Sequence, residues 1–135
     1  MRVQDIMTIS CITAPPEMPV LEARQMMLEK RIRHLLVVDG TTLMGIVTDR
    51  DIRLNLPSPA TSLSVWEINY LLARMTVANV MSKNVATIDP ARDAKEAAQL
   101  MLDRKIGALP VVSNGRQLVG IITETDLLCA FVKSG

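Results

Sequence analysis

The chain has 135 residues and a mass of 14.9 kDa, enough for one compact domain or for two small units that share a core. Its 49% hydrophobic and 21% charged residues, with a mean hydropathy of +0.26, exclude wholesale disorder. Fifteen basic against fourteen acidic residues leave a net charge of +1, so no long-range field draws in nucleic acid or an anionic membrane. The aromatics, Trp66, Tyr70 and Phe131, are too few for a base-stacking platform. Cys11 and Cys129 lie far apart in apolar runs, with no Cys or His partners at metal-ligand spacing; a reducing, cytoplasmic setting is the default. The N-terminus lacks the continuous apolar run of a signal peptide, and no uninterrupted apolar stretch approaches membrane-span length.

Laid on itself, the chain repeats. Val3 matches Val77, Met7 matches Met81, Thr13 matches Thr87 and Pro16 matches Pro90, all at an offset of 74 residues, and the register continues through Ala23/Ala97, Met27/Met101, Leu35/Leu109 and Val37/Val111. From Leu43/Leu118 through Gly45/Gly120, Thr48/Thr123 and Asp51/Asp126 the offset is 75. The extra residue falls in a hairpin turn, Asp39-Gly40 in one copy and Asn114-Gly115 in the other, where a change of length is tolerated.

In chain order, the first copy predicts a short strand at Cys11 to Thr13, a Pro-containing turn and a helix. Two apolar strands, HLLVV and LMGIVT, follow around the hairpin, and a last helix opens at Asp49. Residues 57–76 have no counterpart in a repeat. There Pro57 and Pro59 end the preceding helix, and Ser64-Val-Trp-Glu67 has the capping-box pattern, which predicts a short linking helix whose Trp66 and Tyr70 pack against the module or a second chain. The second copy predicts a strand at Val85 to Thr87 and a helix with a cap-like start at Asp93-Ala-Lys-Glu96, followed by strands ALPVV and LVGIIT and a helix opening at Glu124. The expectation is an α/β (α+β) fold of two β-α-β-β-α repeats, residues 1–56 and 77–135, joined by the linker 57–76. Neither sheet of about three strands is stable alone, so the repeats are expected to pack face to face.

Catalytic patterns fail on inspection. Gly40-Thr-Thr-Leu-Met-Gly45 has the glycine spacing of a phosphate loop, but Ile46-Val47 stands where Lys-Ser/Thr is needed. His34 is the only histidine, which excludes a multi-histidine metal site and leaves one weak candidate base. Asp49 and Asp51 are separated by Arg50 and answered by Glu124 and Asp126 in the other copy; a solvated helix start explains them as well as a catalytic pair does. Neither cysteine has a nearby base, and the nine methionines read as core filler.

What remains is Thr48-Asp-Arg-Asp51 and Thr123-Glu-Thr-Asp126, each closing a strand that begins with Gly-Ile. Thr-x-x-acid is the capping-box pattern, and a helix starts here in any case. A capping box prefers the longer Glu or Gln at its third position, however, and both copies have Asp. A Thr hydroxyl, free helix N–H groups and a carboxylate able to accept both hydroxyls of a ribose diol would also suit a nucleotide. The pattern alone leaves binding and capping open.

GIVTDRDI and GIITETDL, each preceded by HLLVVD or ALPVVS and an amphipathic helix, resemble the signature of cystathionine β-synthase (CBS) domains, two of which make a CBS pair or Bateman module. The resemblance covers about residues 1–56 and 77–133. The linker resembles, less specifically, that of CBS-pair proteins of the acetoin-utilisation type. The family implies two clefts between the repeats that bind adenosine derivatives such as AMP, ADP, ATP or S-adenosylmethionine as regulatory ligands, with no required cofactor, and assembly into disc-like dimers. By motif match, Asp51 and Asp126 are expected to hold ribose hydroxyls, and Thr48 and Thr123 to contact ribose or phosphate. Arg33-His34 and Gly107-Ala108 are expected to border base or phosphate, and the strands near Thr13 and Thr87 to line the adenine pocket.

The copies also differ. Leu36 stands where the second copy has Pro110, and Arg33, His34, Arg50 and Arg53 correspond to Gly107, Ala108, Thr125 and Leu128, with Glu124 in place of Asp49. Positive charge is thus concentrated in one copy, and the site holding Thr48 and Asp51 is expected to prefer phosphorylated nucleotides. The function expected is a non-catalytic, cytoplasmic sensor of adenine nucleotides, a homodimer that signals to a partner protein and contacts neither nucleic acid nor membrane. The alternative is a structural dimerisation module without ligand.

Overall fold

A computed structural model describes residues 1–56 and 62–134; Pro57 and Pro59 lie outside the described residues. The elements in order are α1 (Val3–Ile6), β1 (Thr13–Ala14), α2 (Val20–Lys30), β2 (His34–Asp39), β3 (Thr42–Thr48), α3 (Asp49–Asn55), α4 (Val65–Arg74), α5 (Val77–Val80), α6 (Ala94–Arg104), β4 (Ala108–Ser113), β5 (Gln117–Thr123) and α7 (Glu124–Ser134). The class is mixed α/β; the main helices and the hairpin strands fall where the repeat pattern sets them, but each copy also opens on a short helix, α1 or α5, that the pattern does not predict, and the first strand is shifted to Thr13–Ala14. The second copy's first strand is reduced to a single parallel bridge, Ile88 to Val111.

The residues pack as two compact units that do not follow the repeats. One contains Ile12–Gly40 and Met44–Asn84; the other contains Met1–Cys11, Thr41–Leu43 and Val85–Gly135. Each repeat therefore gives its first residues to the unit built mainly from the other.

In the unit of Ile12–Gly40, β1 runs parallel to β2, pairing Thr13 with Leu36 and Ala14 with Val37. Its core joins Ala14, Val20, Ala23, Met27, Leu35, Val37, Val47 and Ile52 to Val77 and Val80 of α5. The main chain fixes α5 there: Val77 N–H donates to Met18 O at 2.9 Å, Ala78 N–H to Pro16 O at 3.1 Å, and Val20 N–H to Met75 O at 2.9 Å.

The other unit repeats this arrangement with the roles exchanged. Beside antiparallel β4 and β5, which pair Ala108 with Thr123 and Pro110 with Ile121, the core gathers Ile88, Ala97, Met101, Leu109, Val111 and Ile122 around Val3 of α1. Val3 N–H donates to Arg92 O at 2.8 Å, Gln4 N–H to Pro90 O at 3.0 Å, and Ala94 N–H to Met1 O at 2.8 Å. Burying a valine side chain contributes about 1.5–3 kcal/mol, so Val3 and Val77 are substantial anchors. The Asn114-Gly115 turn has φ of +45° and +89°, the mirror-image hairpin that its sequence predicts.

After its anchor, each exchanged segment crosses a glycine. Ser82 and Ile46 exchange main-chain hydrogen bonds at 2.9 and 3.1 Å, and Thr8 and Ile121 do so at 2.8 and 2.9 Å. A Cβ on Gly45 would stand 2.7 Å from Ser82 O and 2.8 Å from Met81 Sδ; one on Gly120 would stand 2.8 Å from Thr8 O and 2.9 Å from Met7 Sδ. The glycine of each Gly-Ile motif is thus required by close approach of main chain.

Helix α4 opens on the reciprocal Ser64/Glu67 capping box that the sequence predicts, and Ile68 and Leu72 are half-buried. Trp66 does not pack against the module: it is 84% exposed in the single chain, and Tyr70, also exposed, carries the Arg74 guanidinium carbon 4.3 Å from its ring centre. On a short helix whose half-buried positions are Ile68 and Leu72, the stripe bearing Trp66 and Tyr70 faces outward.

Gly45→Ala and Gly120→Ala should each lower stability by about 1–3 kcal/mol through overpacking against a carbonyl. Thermal denaturation of both variants measures this, and wild-type melting would contradict the close-approach role.

Candidate functional site

The site residues fall into two sets, one in each unit. Thr13, Arg33, His34, Thr48, Arg50 and Asp51 belong to one, and Thr87, Ala108, Pro110, Thr123 and Asp126 to the other.

In the first set, β3 ends at Thr48 and α3 begins at Asp49. Thr48 N–H donates to Asp51 Oδ2 at 2.9 Å, and Asp51 N–H donates to Thr48 Oγ1 at 3.2 Å. The same box recurs at α7: Thr123 N–H to Asp126 Oδ2 at 2.9 Å, and Asp126 N–H to Thr123 Oγ1 at 3.2 Å. Both capping boxes therefore form with the shorter Asp, against the average preference for Glu or Gln. In both copies the aspartate closes the box, because Thr in extended conformation, φ −113° and ψ 164° at Thr48, brings its own N–H toward the first turn. Capping is therefore observed in both copies.

The acceptor capacity left to the aspartate differs between the copies. Among the described residues Asp51 Oδ1 receives no donor, whereas Asp126 also accepts the Thr123 hydroxyl on Oδ2 at 3.0 Å and the Thr8 hydroxyl on Oδ1 at 3.2 Å. Sequence reasoning misses Thr8 as it misses the glycines: the repeat aligns it with Ser82, but only the exchange of segments brings it to Asp126.

The basic residues are only partly available. Arg33 and Arg50 are exposed and form no ion pair among the described residues, whereas Arg53 pairs with Asp49 at 3.0 Å along α3. In the second copy no cation replaces Arg33. A Cβ on Gly107 would lie 3.4 Å from the Glu124 carboxyl carbon, and Glu124 N–H donates to Gly107 O at 3.0 Å. Electrostatically the two corners are opposites.

Thr13 sits half-buried in β1, paired to Leu36. Ala108 and Pro110 are buried in β4, where Pro110 O accepts the Ile88 N–H at 3.1 Å. Thr87 opens on a groove of about 600 Å³ with Asp89, Arg92, Glu96 and Asp103. Asp126 lines a different groove, of about 550 Å³, with Asp5, Cys129 and Lys133. Thr87 and Asp126 thus line different grooves. Burial pushes the Cys11 thiol up, away from the reactive thiolate, and its Sγ–H donates to Thr8 O at 3.7 Å. Among the described residues no cluster of His, Cys, Asp and Glu could hold a metal ion, and no helix is long and apolar enough to cross a membrane.

Two units completed by exchanged segments, each with Gly-Ile-x-Thr-x-x-Asp at a strand-to-helix corner, define a tandem module. The chain belongs to the CBS domain family, whose description matches residues 3–58 and 77–133. It is 37% identical over 103 residues to a CBS domain-containing protein of Dictyostelium discoideum, spanning 76% of this chain and 71% of that protein. Among solved structures it is similar to CBSX2 in complex with AMP, at 27% identity and a TM-score of 0.81, with 98% of this chain and 97% of the other covered; CBSX2 is a CBS-pair protein from Arabidopsis thaliana. It is also similar to the CBS domain pair of protein MJ0100 in complex with 5′-methylthioadenosine and S-adenosyl-L-methionine, at 27% identity and a TM-score of 0.77, covering 100% and 98%. Some enzymes match as well, but the chain spans only 23% of their length.

His34 opens β2 beside Arg33, and its imidazole is held below its ordinary value of 6.5 by burial first and by the Arg33 charge second. The unfolded chain therefore binds more protons than the folded one as pH falls through about 6.5, and stability falls with it; His34's share is fully present only above that pH. Urea unfolding at pH 7.5 and 5.5 should show wild type losing more stability on acidification than His34→Gln. Equal losses would mean that His34 titrates alike in both states.

Proposed function

We propose that the chain is a non-catalytic regulatory module that binds adenosine derivatives, AMP, ADP, ATP or S-adenosylmethionine, through Thr48 and Asp51 in one repeat and Thr123 and Asp126 in the other. The observation that carries this reading is the Asp51 carboxylate. Its Oδ2 is tied down by the Thr48 N–H while Oδ1 stays open among the described residues, so a fixed acceptor is presented to a ribose diol without being consumed by the cap. The AMP bound by CBSX2 and the S-adenosylmethionine bound by the MJ0100 pair support an adenosine ligand here. The unpaired guanidinium groups of Arg33 and Arg50 favour a phosphorylated one at this site.

Calorimetric titration of AMP tests the proposal. Asp51→Ala should weaken binding tenfold or more while costing only about 1 kcal/mol of stability through the lost cap, and Arg33→Ala with Arg50→Ala should narrow the preference for AMP over adenosine. Unchanged affinity in Asp51→Ala and Asp126→Ala would leave the second reading, a structural module in which both Thr-x-x-Asp motifs only cap helices. The completeness of both caps is the observation in its favour.

The module is further proposed to act as a cytoplasmic homodimer that passes its ligand state to a partner protein. Helix α7 buries none of its residues and exposes Leu128, Phe131 (76%) and Val132. An apolar helix face of this kind is suited to a second copy of the chain across a two-fold axis. Light scattering at tens of micromolar protein should return twice the 14.9 kDa chain mass; a monomer mass removes the dimer.

A further inference from the structure

We propose that Thr8 sets the difference between the two sites: its hydroxyl holds the Asp126 oxygen that a ribose diol would need, so the Thr123/Asp126 site accepts a diol only when this contact gives way. The inference rests on the reading of Asp51 and Asp126 as diol acceptors.

A carboxylate offers about four lone-pair positions on its two oxygens. Asp126 spends two on Oδ2, for the Thr123 N–H at 2.9 Å and the Thr123 hydroxyl at 3.0 Å, and a third on Oδ1, for the Thr8 hydroxyl at 3.2 Å. One position is left where a vicinal diol donating through both hydroxyls needs two. Asp51 spends one, on the Thr48 N–H.

The aligned residue Ser82 is placed by the same two-way main-chain bridge, at 2.9 and 3.1 Å to Ile46 against 2.8 and 2.9 Å for Thr8 to Ile121. Among the described residues its hydroxyl makes no bond to Asp51. The backbones match, so the difference lies in the side chain. β-Branching restricts the Thr8 rotamers where Ser82 turns freely. The Thr8 main chain cannot withdraw either, because its carbonyl lies against Gly120. Release must come from rotation about the Thr8 side chain, which leaves the segment docked.

The test is calorimetric titration of adenosine, a ligand with no phosphate to recruit Arg33 or Arg50. In an Asp51→Ala background, where only the Asp126 site remains intact, Thr8→Val keeps the β-branched shape and removes the hydroxyl, and it should raise affinity about tenfold, the effect of one charge-assisted hydrogen bond. In an Asp126→Ala background Thr8→Val should change nothing, and Ser82→Thr should weaken binding. Unchanged or lower affinity of the Thr8→Val, Asp51→Ala protein overturns the inference while Asp51→Ala and Asp126→Ala still confirm the diol reading. Adenosine binding that neither aspartate variant alters overturns the diol reading, and the inference with it. A double-mutant cycle of Thr8→Val and Asp126→Asn on unfolding without ligand should show coupling between the pair; additive effects would show that the contact is not made in solution.

Discussion

Two carbonyl oxygens, of Ser82 and Thr8, lie 2.7 and 2.8 Å from where a side chain would begin on Gly45 and Gly120, and the rest of the module is arranged around those two approaches. Only at a glycine can a second main chain come this near a strand. Each approach lets an exchanged segment bridge to the next residue of the strand, Ile46 or Ile121, in both directions. The same segments bring Val77 and Val3 into the respective cores. Without them each unit would lose an anchor and a bridge at once, so neither repeat is a self-sufficient folding unit. The covalent order of the chain and the order of its cores interlock.

The glycine also dictates what the site is made of. Three residues beyond it the strand ends at a threonine, and the exchanged segment lies alongside that corner. The residue at position 8 is therefore a neighbour of the capping aspartate Asp126, as the Thr8 to Asp126 hydrogen bond shows directly. Packing and recognition are thus built from one element. A side chain chosen for the segment's own needs changes how many acceptors the aspartate has left.

Much of this was legible in the sequence. The repeat, the hairpin turns, the helix starts at Asp49 and Glu124 and the capped linker helix follow from local chemistry, which acts within three or four residues. The exchange was not legible, because periodicity reports which face of a segment is apolar and says nothing about which of two similar cores covers it. Val3 and Val77 align with each other and would fit either place. The pattern at the aspartates left capping and binding open, because a preference for Glu at the third position of a capping box is an average over helices and does not decide the individual case. Of the two covers expected for Trp66, the module or a second chain, the module is not the one, because Ile68 and Leu72 take the half-buried stripe of α4.

The inequality of the copies has two separate sources. One is charge: Arg33 and Arg50 in one copy correspond in the alignment to Gly107 and Thr125 in the other, and Glu124 fills the space beside Gly107 with a carboxylate. The other is acceptor capacity: among the described residues, one donor on Asp51 against three on Asp126. The first acts on phosphate and weakens with salt; the second acts on the sugar and does not depend on ligand charge. A ligand without phosphate would sense only the second, and a nucleotide would sense both in the same direction. On the proposed reading, the two copies keep the same main-chain geometry while a few side chains make them unequal as sites.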